Sequence, residues 1–278
     1  MTVRIVTDSS CDLPASVIAR YGIYVVPLYI NVGNHGYLDG IDMTRTEFYQ
    51  KLPTFPDHPT TAVPSAQKFR SLYDALADEG ATAILSIHIS VALSGVVNVA
   101  QIAAQETSSL PVTVFDSRQL SLGTGFLVEK AAQLAQQGAS VDEIIPVLND
   151  QIKRTHVFAA LDTLIYLRRS GRMNSVVSTI GELLQIKPLL KMYDGNSSAE
   201  RVRTRTNAIK RLIELLNSFS PFEKVALLHS NALERAQSLL EEVRAFLPDG
   251  EIWLEEINPI LGAHIGPGVI GFVCVSAQ

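Results

Sequence analysis

An α/β fold follows from three features of this chain. Apolar runs of strand length alternate with stretches of helical period through most of the 278 residues. Two strand-helix units follow one another directly near the middle, and short polar motifs recur where strand patterns end. The second feature selects parallel pairing, because a strand-helix-strand connection returns the chain beside its first strand in the same direction.

Taken in order, the first strand is read at Val3 to Val6, followed by the loop Asp8-Ser9-Ser10. A helix from Pro14 to Tyr21 comes next, opened by a proline whose missing N–H costs nothing in a first turn. Ile23 to Ile30 reads as one further strand. Thr44 and Glu47 have the spacing of a capping box and start a short helix to Lys51. Ser65 to Asp78 carries Phe69, Leu72, Tyr73 and Leu76 on one side and is amphipathic. Then come strand Ala83 to Ile89, helix Gly95 to Gln105, strand Pro111 to Phe115 and a long helix from about Gln119 to Gln137. Ser140 and Glu143 form a second capping box, starting a helix to about Arg154.

Beyond Thr155 the texture changes. A strand at His156 to Leu161 and a short helix Thr163 to Arg168 lead into the basic bend Arg168-Arg169-Ser170-Gly171-Arg172 and an apolar strand around Ile186 to Met192. Asp194 to Ala199 reads as a surface turn, and Thr206 to Phe219 as an amphipathic helix. Strand Lys224 to His229, helix Leu233 to Phe246 and strands Glu251 to Ile257 and Val269 to Val275 complete the chain. These patterns divide it into an N-terminal α/β domain, 1–155, and a C-terminal α/β domain, 156–278. Phe48, Tyr49, Leu52, Phe126, Leu127, Leu164, Leu167, Leu183, Leu184 and Ile186 are expected in the core.

Composition narrows the function. With 47% hydrophobic and 18% charged residues the chain is an ordinary, rather apolar globular protein. A net charge of -5 argues against nucleic acid or an anionic membrane as a long-range partner. Cys11 and Cys274 are the only cysteines, which excludes a disulfide framework and disfavours a thiolate metal site. No secretory signal and no run of roughly 18 apolar residues is read. A cytoplasmic protein without cofactor or metal is expected.

Ser94-Gly95 stands where an apolar strand pattern turns into a helical one, a corner that leaves N–H groups and a hydroxyl open to an anion. No Lys or Arg lies between Gly80 and Glu106, so an anion there is expected to rest on hydroxyls and a helix end rather than on a salt bridge. On the residues alone, Ser94 is equally a plain helix N-cap. Thr60 and Thr61 read equally as turn hydroxyls, His264 as a histidine of a glycine-rich loop, and Asp8-Ser9-Ser10 as an Asx or Ser turn.

Several short motifs occur together: T-D-S-S at Thr7–Ser10, V-P-L at Val26–Leu28, Y-L-D-G-I-D at Tyr37–Asp42, P-T-T at Pro59–Thr61, L-S-G at Leu93–Gly95, D-S at Asp116-Ser117, L-D-T-L at Leu161–Leu164, G-R at Gly171-Arg172, I-K-P at Ile186–Pro188, V-R-T at Val202–Thr204 and H-I-G-P-G at His264–Gly268. In this order and spacing the chain resembles, over essentially its whole length, the DegV family, the fatty-acid-binding subunits of bacterial fatty acid kinase. The chain departs from the common family pattern at Val96, at Thr61-Ala62 and at Ser170.

The resemblance implies a two-domain fold with a mainly parallel N-terminal sheet, and a long-chain fatty acid in an apolar tunnel between the domains. Its carboxylate contacts would fall on Ser94 and Gly95, on Thr60 or Thr61, and on His264 as direct or supporting partner. The family does no chemistry of its own. It presents the acyl chain to a separate, dihydroxyacetone-kinase-like subunit that makes an acyl phosphate, with transient membrane contact for lipid exchange. Arg172 and Arg203, from two basic clusters in an otherwise acidic chain, are the preferred contacts with that kinase, the alternative being a solvated surface.

Hydroxyls suit such a ligand. Burying a tail of about sixteen carbons at about 0.8 kcal/mol per CH₂ supplies on the order of 10 kcal/mol before ordering costs. The head group then needs only to be hydrogen-bonded. Sparse counter-charge would raise the pKa of the bound acid. The rival reading is a serine hydrolase with Ser94 as nucleophile and His264 as base, although no G-x-S-x-G elbow surrounds Ser94. A phosphotransfer enzyme is disfavoured because no phosphate-binding glycine loop is present.

Overall fold

The computed structural model of the chain describes residues 2–173 and 187–278. Leu183, Leu184 and Ile186, expected in the core, lie outside these described residues.

Strands β1 (Val3–Asp8), β2 (Tyr24–Val26), β6 (Ala83–His88) and β7 (Val112–Asp116) form a parallel sheet in the order β2-β1-β6-β7. β1 and β6 are apolar and buried along nearly their whole length, as strands covered on both faces must be. Their covers include α1 (Ala15–Tyr21), α3 (Ala66–Asp78), α4 (Val96–Glu106), α5 (Leu122–Gln136) and α6 (Val141–Ile152). Both capping boxes form: Thr44 with Glu47 starts α2 (Arg45–Lys51), and Ser140 with Glu143 starts α6. Phe69, Tyr73 and Leu76 turn the apolar face of α3 inward, with Leu72 partly buried beside them.

The expected strand Ile23 to Ile30 is two strands. Pro27 offers no N–H to a ladder, and the chain breaks there, so β2 pairs parallel with β1 while β3 (Tyr29–Val32) joins a different sheet. That sheet is antiparallel, in the order β4-β3-β5, where β4 is His35–Leu38 and β5 is Thr60–Ala62. Neither β4 nor β5 was legible as a strand, since both are short and β5 is three residues of Thr-Thr-Ala.

The third sheet has six strands in the order β10-β9-β8-β13-β11-β12. They are β8 (Thr155–Ala160), β9 (Lys187–Tyr193), β10 (Asn196–Val202), β11 (Phe222–His229), β12 (Trp253–Glu256) and β13 (Ile270–Ser276). All pairs are antiparallel except β11 with β12. The turn between β9 and β10 is only Asp194-Gly195; Asn196 onward, expected as part of a polar turn, is already strand because it pairs with β9 over seven positions.

The two faces of this sheet do different work. On β8, Phe158 and Ala160 join the core formed with α8 (Arg205–Ser218) and α9 (Leu233–Val243), while Val157, and Leu161 just past the strand, belong to the core shared with the parallel sheet. A period of two sends alternate side chains to opposite faces. Among the described residues, helices α7 (Ile165–Arg169) and α10 (Pro259–Ile265) lie on the side of the shared core. Among the described residues no helix is long and apolar enough to cross a membrane.

Candidate functional site

In open α/β sheets ligands bind beyond the carboxyl ends of the strands, where the strand order reverses. Here that place is the carboxyl end of β1 and β6, followed by the loops Ser9–Cys11 and Ile89–Gly95. A cavity of about 1050 Å³, mouth included, opens beside the second of these loops. Its walls include Ile89 and Leu93 of that loop, Val157 and Ala159 of β8 with Leu161 just after it, Leu190 and Met192 of β9, and Ile260, Leu261 and Ile265 of α10. The inward face of the six-stranded sheet thus meets the parallel sheet across an apolar space.

Ser94 lies on the cavity wall. Its backbone N–H bonds the Ser90 carbonyl at 3.1 Å, and Gly95, not Ser94, occupies the N-cap of α4. The hydroxyl is therefore not used for capping, and among the described residues it has no hydrogen-bond partner. Gly95 is exposed and outside the lining. On β5 the alternation of side chains separates the two threonines: Thr61 faces the cavity and Thr60 is exposed away from it.

His264 also lines the cavity, but it sits in the last turn of α10 rather than in a loop. Asn258 caps that helix through Leu261 N–H at 2.9 Å and Pro259 occupies its first turn, which is why so glycine-rich a segment is helical. The glycines begin to act only after it, where Gly266 turns the chain at φ 74°. His264 Nε2 lies 3.1 Å from Thr61 Oγ1, and its Nδ1 is buried with no partner among the described residues. Burial, then the nearby positive charge of Arg172 and the ring of His58, push its pKa down to about 4, so the imidazole is neutral near pH 7.

Arg172 lines the same cavity. The sequence neighbours of Ser94 supply no cation, but the segment after α7 brings Arg172 to the same cavity wall from 78 residues away, and β9 brings Lys191. Arg203 is exposed between β10 and α8 and does not line the cavity. Asp8 and Ser10 are buried and do not line it either. Asp8 accepts from the Ser10 backbone N–H at 3.1 Å and from Ser10 Oγ, and its Oδ2 is 2.9 Å from His88 Nδ1. Burial alone would raise the Asp8 pKa; the His88 and Ser10 donors outweigh it and hold it below the usual carboxylate value. His88 Nε2 continues to Ser86 Oγ at 2.7 Å, which reaches Tyr73 Oη at 2.9 Å.

That Ser-His-Asp order is a nucleophilic triad in connectivity only, because Ser86, His88 and Asp8 are all fully buried. At the cavity, where access exists, His264 bonds Thr61, and neither a hydrogen bond between His264 and Ser94 nor a carboxylate on Nδ1 is present among the described residues. No group of His, Cys, Asp and Glu among the described residues could hold a metal ion. Sequence reasoning missed Ser121, also on the cavity wall, whose backbone sits at φ 53° and whose hydroxyl bonds Asp12 at 2.5 Å. A left-handed serine leaves no local signal.

This arrangement defines a class: α/β proteins that enclose an apolar cavity between the carboxyl edge of a parallel sheet and one face of an antiparallel one. The family model described as "Uncharacterised protein, DegV family" matches residues 2–277, and the chain belongs to the DegV family. It is 35% identical to a DegV domain-containing protein of Streptomyces coelicolor, over 99% of this chain and 98% of that one. It is 32% identical to Protein DegV of Bacillus subtilis, over 98% of each. Among solved structures, DegV of Bacillus subtilis, described as a fatty acid binding protein, superposes with a TM-score of 0.91 at 31% identity, covering 99% of both chains. A DegV family protein from Thermus thermophilus, described by its fatty acid binding, gives 0.89 at 33% identity over the whole of both.

Proposed function

We propose that this protein binds a long-chain fatty acid in the cavity, its tail against the apolar walls and its carboxylate at the hydroxyls of Ser94 and Thr61. The observation that carries the reading is an apolar cavity in which the Ser94 hydroxyl has no hydrogen-bond partner among the described residues. With its proton on Nε2, His264 donates to Thr61 Oγ1 and frees the threonine's own proton for the acid. Arg172 supplies the counter-charge, which lowers the pKa of the bound acid against the upward pull of burial. Each charge-assisted hydrogen bond is worth about 1.5–3 kcal/mol, so these groups suffice to hold a carboxylate whose tail provides most of the affinity.

The same reading makes the chain a carrier without cofactor or chemistry of its own, in the cytoplasm, built as domains 1–155 and 156–278 with the acid between them. It hands the carboxylate to a separate dihydroxyacetone-kinase-like subunit, with Arg172 and the exposed Arg203 toward an acidic face of that partner. The hydrolase alternative is opposed by the missing bond between Ser94 and His264.

Organic extraction of the protein purified from bacteria, followed by mass spectrometry, tests the binding: long-chain fatty acid at close to one per chain is expected. Lipid-free protein that also takes up no palmitate in calorimetry refutes it. Acyl phosphate formation from the loaded protein, ATP and such a kinase subunit tests the presentation.

A further inference from the structure

One buried carboxylate outside the cavity lining bonds to both halves of the chain. Asp12 is 1% exposed, in a left-handed turn at φ 57° that ends the loop after β1. Its Oδ2 accepts from Ser121 Oγ at 2.5 Å, and its Oδ1 accepts from the Asn258 backbone N–H at 2.9 Å and lies 3.2 Å from Arg45 Nη1. Arg45 also donates to the Glu256 carbonyl, and Asn258 Nδ2 donates to the Ser10 carbonyl at 3.3 Å. One carboxylate therefore joins the loop after β1, the start of α5, α2 and the N-cap of α10.

α10 has little freedom elsewhere. Tyr49 Oη donates to the Ile257 carbonyl at 3.0 Å, and a Cβ on Gly262 would stand 2.6 Å from the same hydroxyl and 2.9 Å from the Phe48 ring. The helix is short and rises about 1.5 Å per residue, so an error at its first residue is carried undiminished to its last turn, where His264 meets Thr61.

We infer that Asp12 is a positioning residue for the head-group end of the cavity: by fixing the N-cap of α10 it holds His264 in register with Thr61. The inference rests on the binding reading for its consequence but on the fold for its geometry. Asp8 serves as the comparison: it is equally buried and accepts from Ser10, from His88 and from the backbone N–H of Ile89 at 3.3 Å, and although Ile89 lines the cavity and the Ser10 carbonyl accepts from Asn258, Asp8 makes no hydrogen bond of its own to α10 or its N-cap residue.

Titrating the histidines of the full, delipidated chain by NMR is the test. Wild-type His264 titrates near pH 4, in the field of Arg172 and His58. In Asp12→Asn it is expected to move by about one unit or more toward its ordinary value of about 6.5, as α10 shifts and water reaches the ring. In Asp8→Asn it is expected to stay in place, whatever stability is lost. Palmitate affinity should fall about tenfold in Asp12→Asn and less than threefold in Asp8→Asn. If Asp12→Asn does not fold, Asn258→Ala, which loosens the same helix end, should give the same direction at smaller size. An unmoved His264 in the Asp12 variant, or in Asn258→Ala where that variant stands in, overturns the inference, as does an equal shift in Asp8→Asn. A wild type that binds no palmitate defeats the binding reading alone, and the histidine titration still decides this one.

Discussion

The hydroxyls and the imidazole of the cavity are separable by single substitutions. Ser94→Ala removes a donor that no described residue uses, so palmitate affinity measured by calorimetry should drop about tenfold or more while the melting temperature hardly moves. Thr61→Val should act similarly, whereas Thr60→Val, on the outer face of β5, should stay within about twofold. His264 makes a pH prediction. Its folded pKa is about 4 and its unfolded one about 6.5, so between these values the unfolded state binds the extra proton. Its contribution is fully present above about pH 6.5 and is lost as the pH falls to about 4. A His264→Gln variant should therefore lose less stability than the wild type in acid denaturation across that window. Ser94 was legible because an L-S-G corner follows an apolar strand; that Arg172 lines the same cavity was not, because its neighbours in sequence are not its neighbours in space.

Helix ends and glycine contacts set the geometry of the elements. Gly262→Ala would drive a methyl into Tyr49 and Phe48, and overpacking of this kind costs about 1–3 kcal/mol. Chemical denaturation should show that loss together with weaker palmitate binding, because α10 must move away from α2 and takes His264 with it. A change in stability with unaltered binding would mean that the helix relaxes without disturbing its last turn. Most element types were readable: both capping boxes, the inward side of α3 and the strand-helix alternation from Ala83 to Gln136 all come from local pattern. The departures have local causes. Pro27 ends a strand that apolar content alone would extend, and the short, partly polar β4 and β5 were invisible because pairing rather than composition makes them strands.

For the whole molecule, ligand and fold stabilise each other. A ligand at one hundred times its dissociation constant adds about 2.7 kcal/mol to the folded state, so palmitate added to delipidated protein should raise the melting temperature by about 5 °C or more. The rise should shrink in Ser94→Ala at equal palmitate. Unaltered melting at saturating palmitate would contradict an acid enclosed between the sheets.

By itself the sequence determined the α/β class, the order of most elements, the family resemblance and the Ser94 corner, because these depend on periodicity and on residues within a few positions of each other. Only the tertiary structure decided that Thr61 rather than Thr60 faces the cavity, that Arg172 stands at its wall, and that Asp12 ties the loop after β1 to α10. Those facts depend on strand register and on contacts across as many as 248 residues, and no local pattern encodes which distant groups will share a wall.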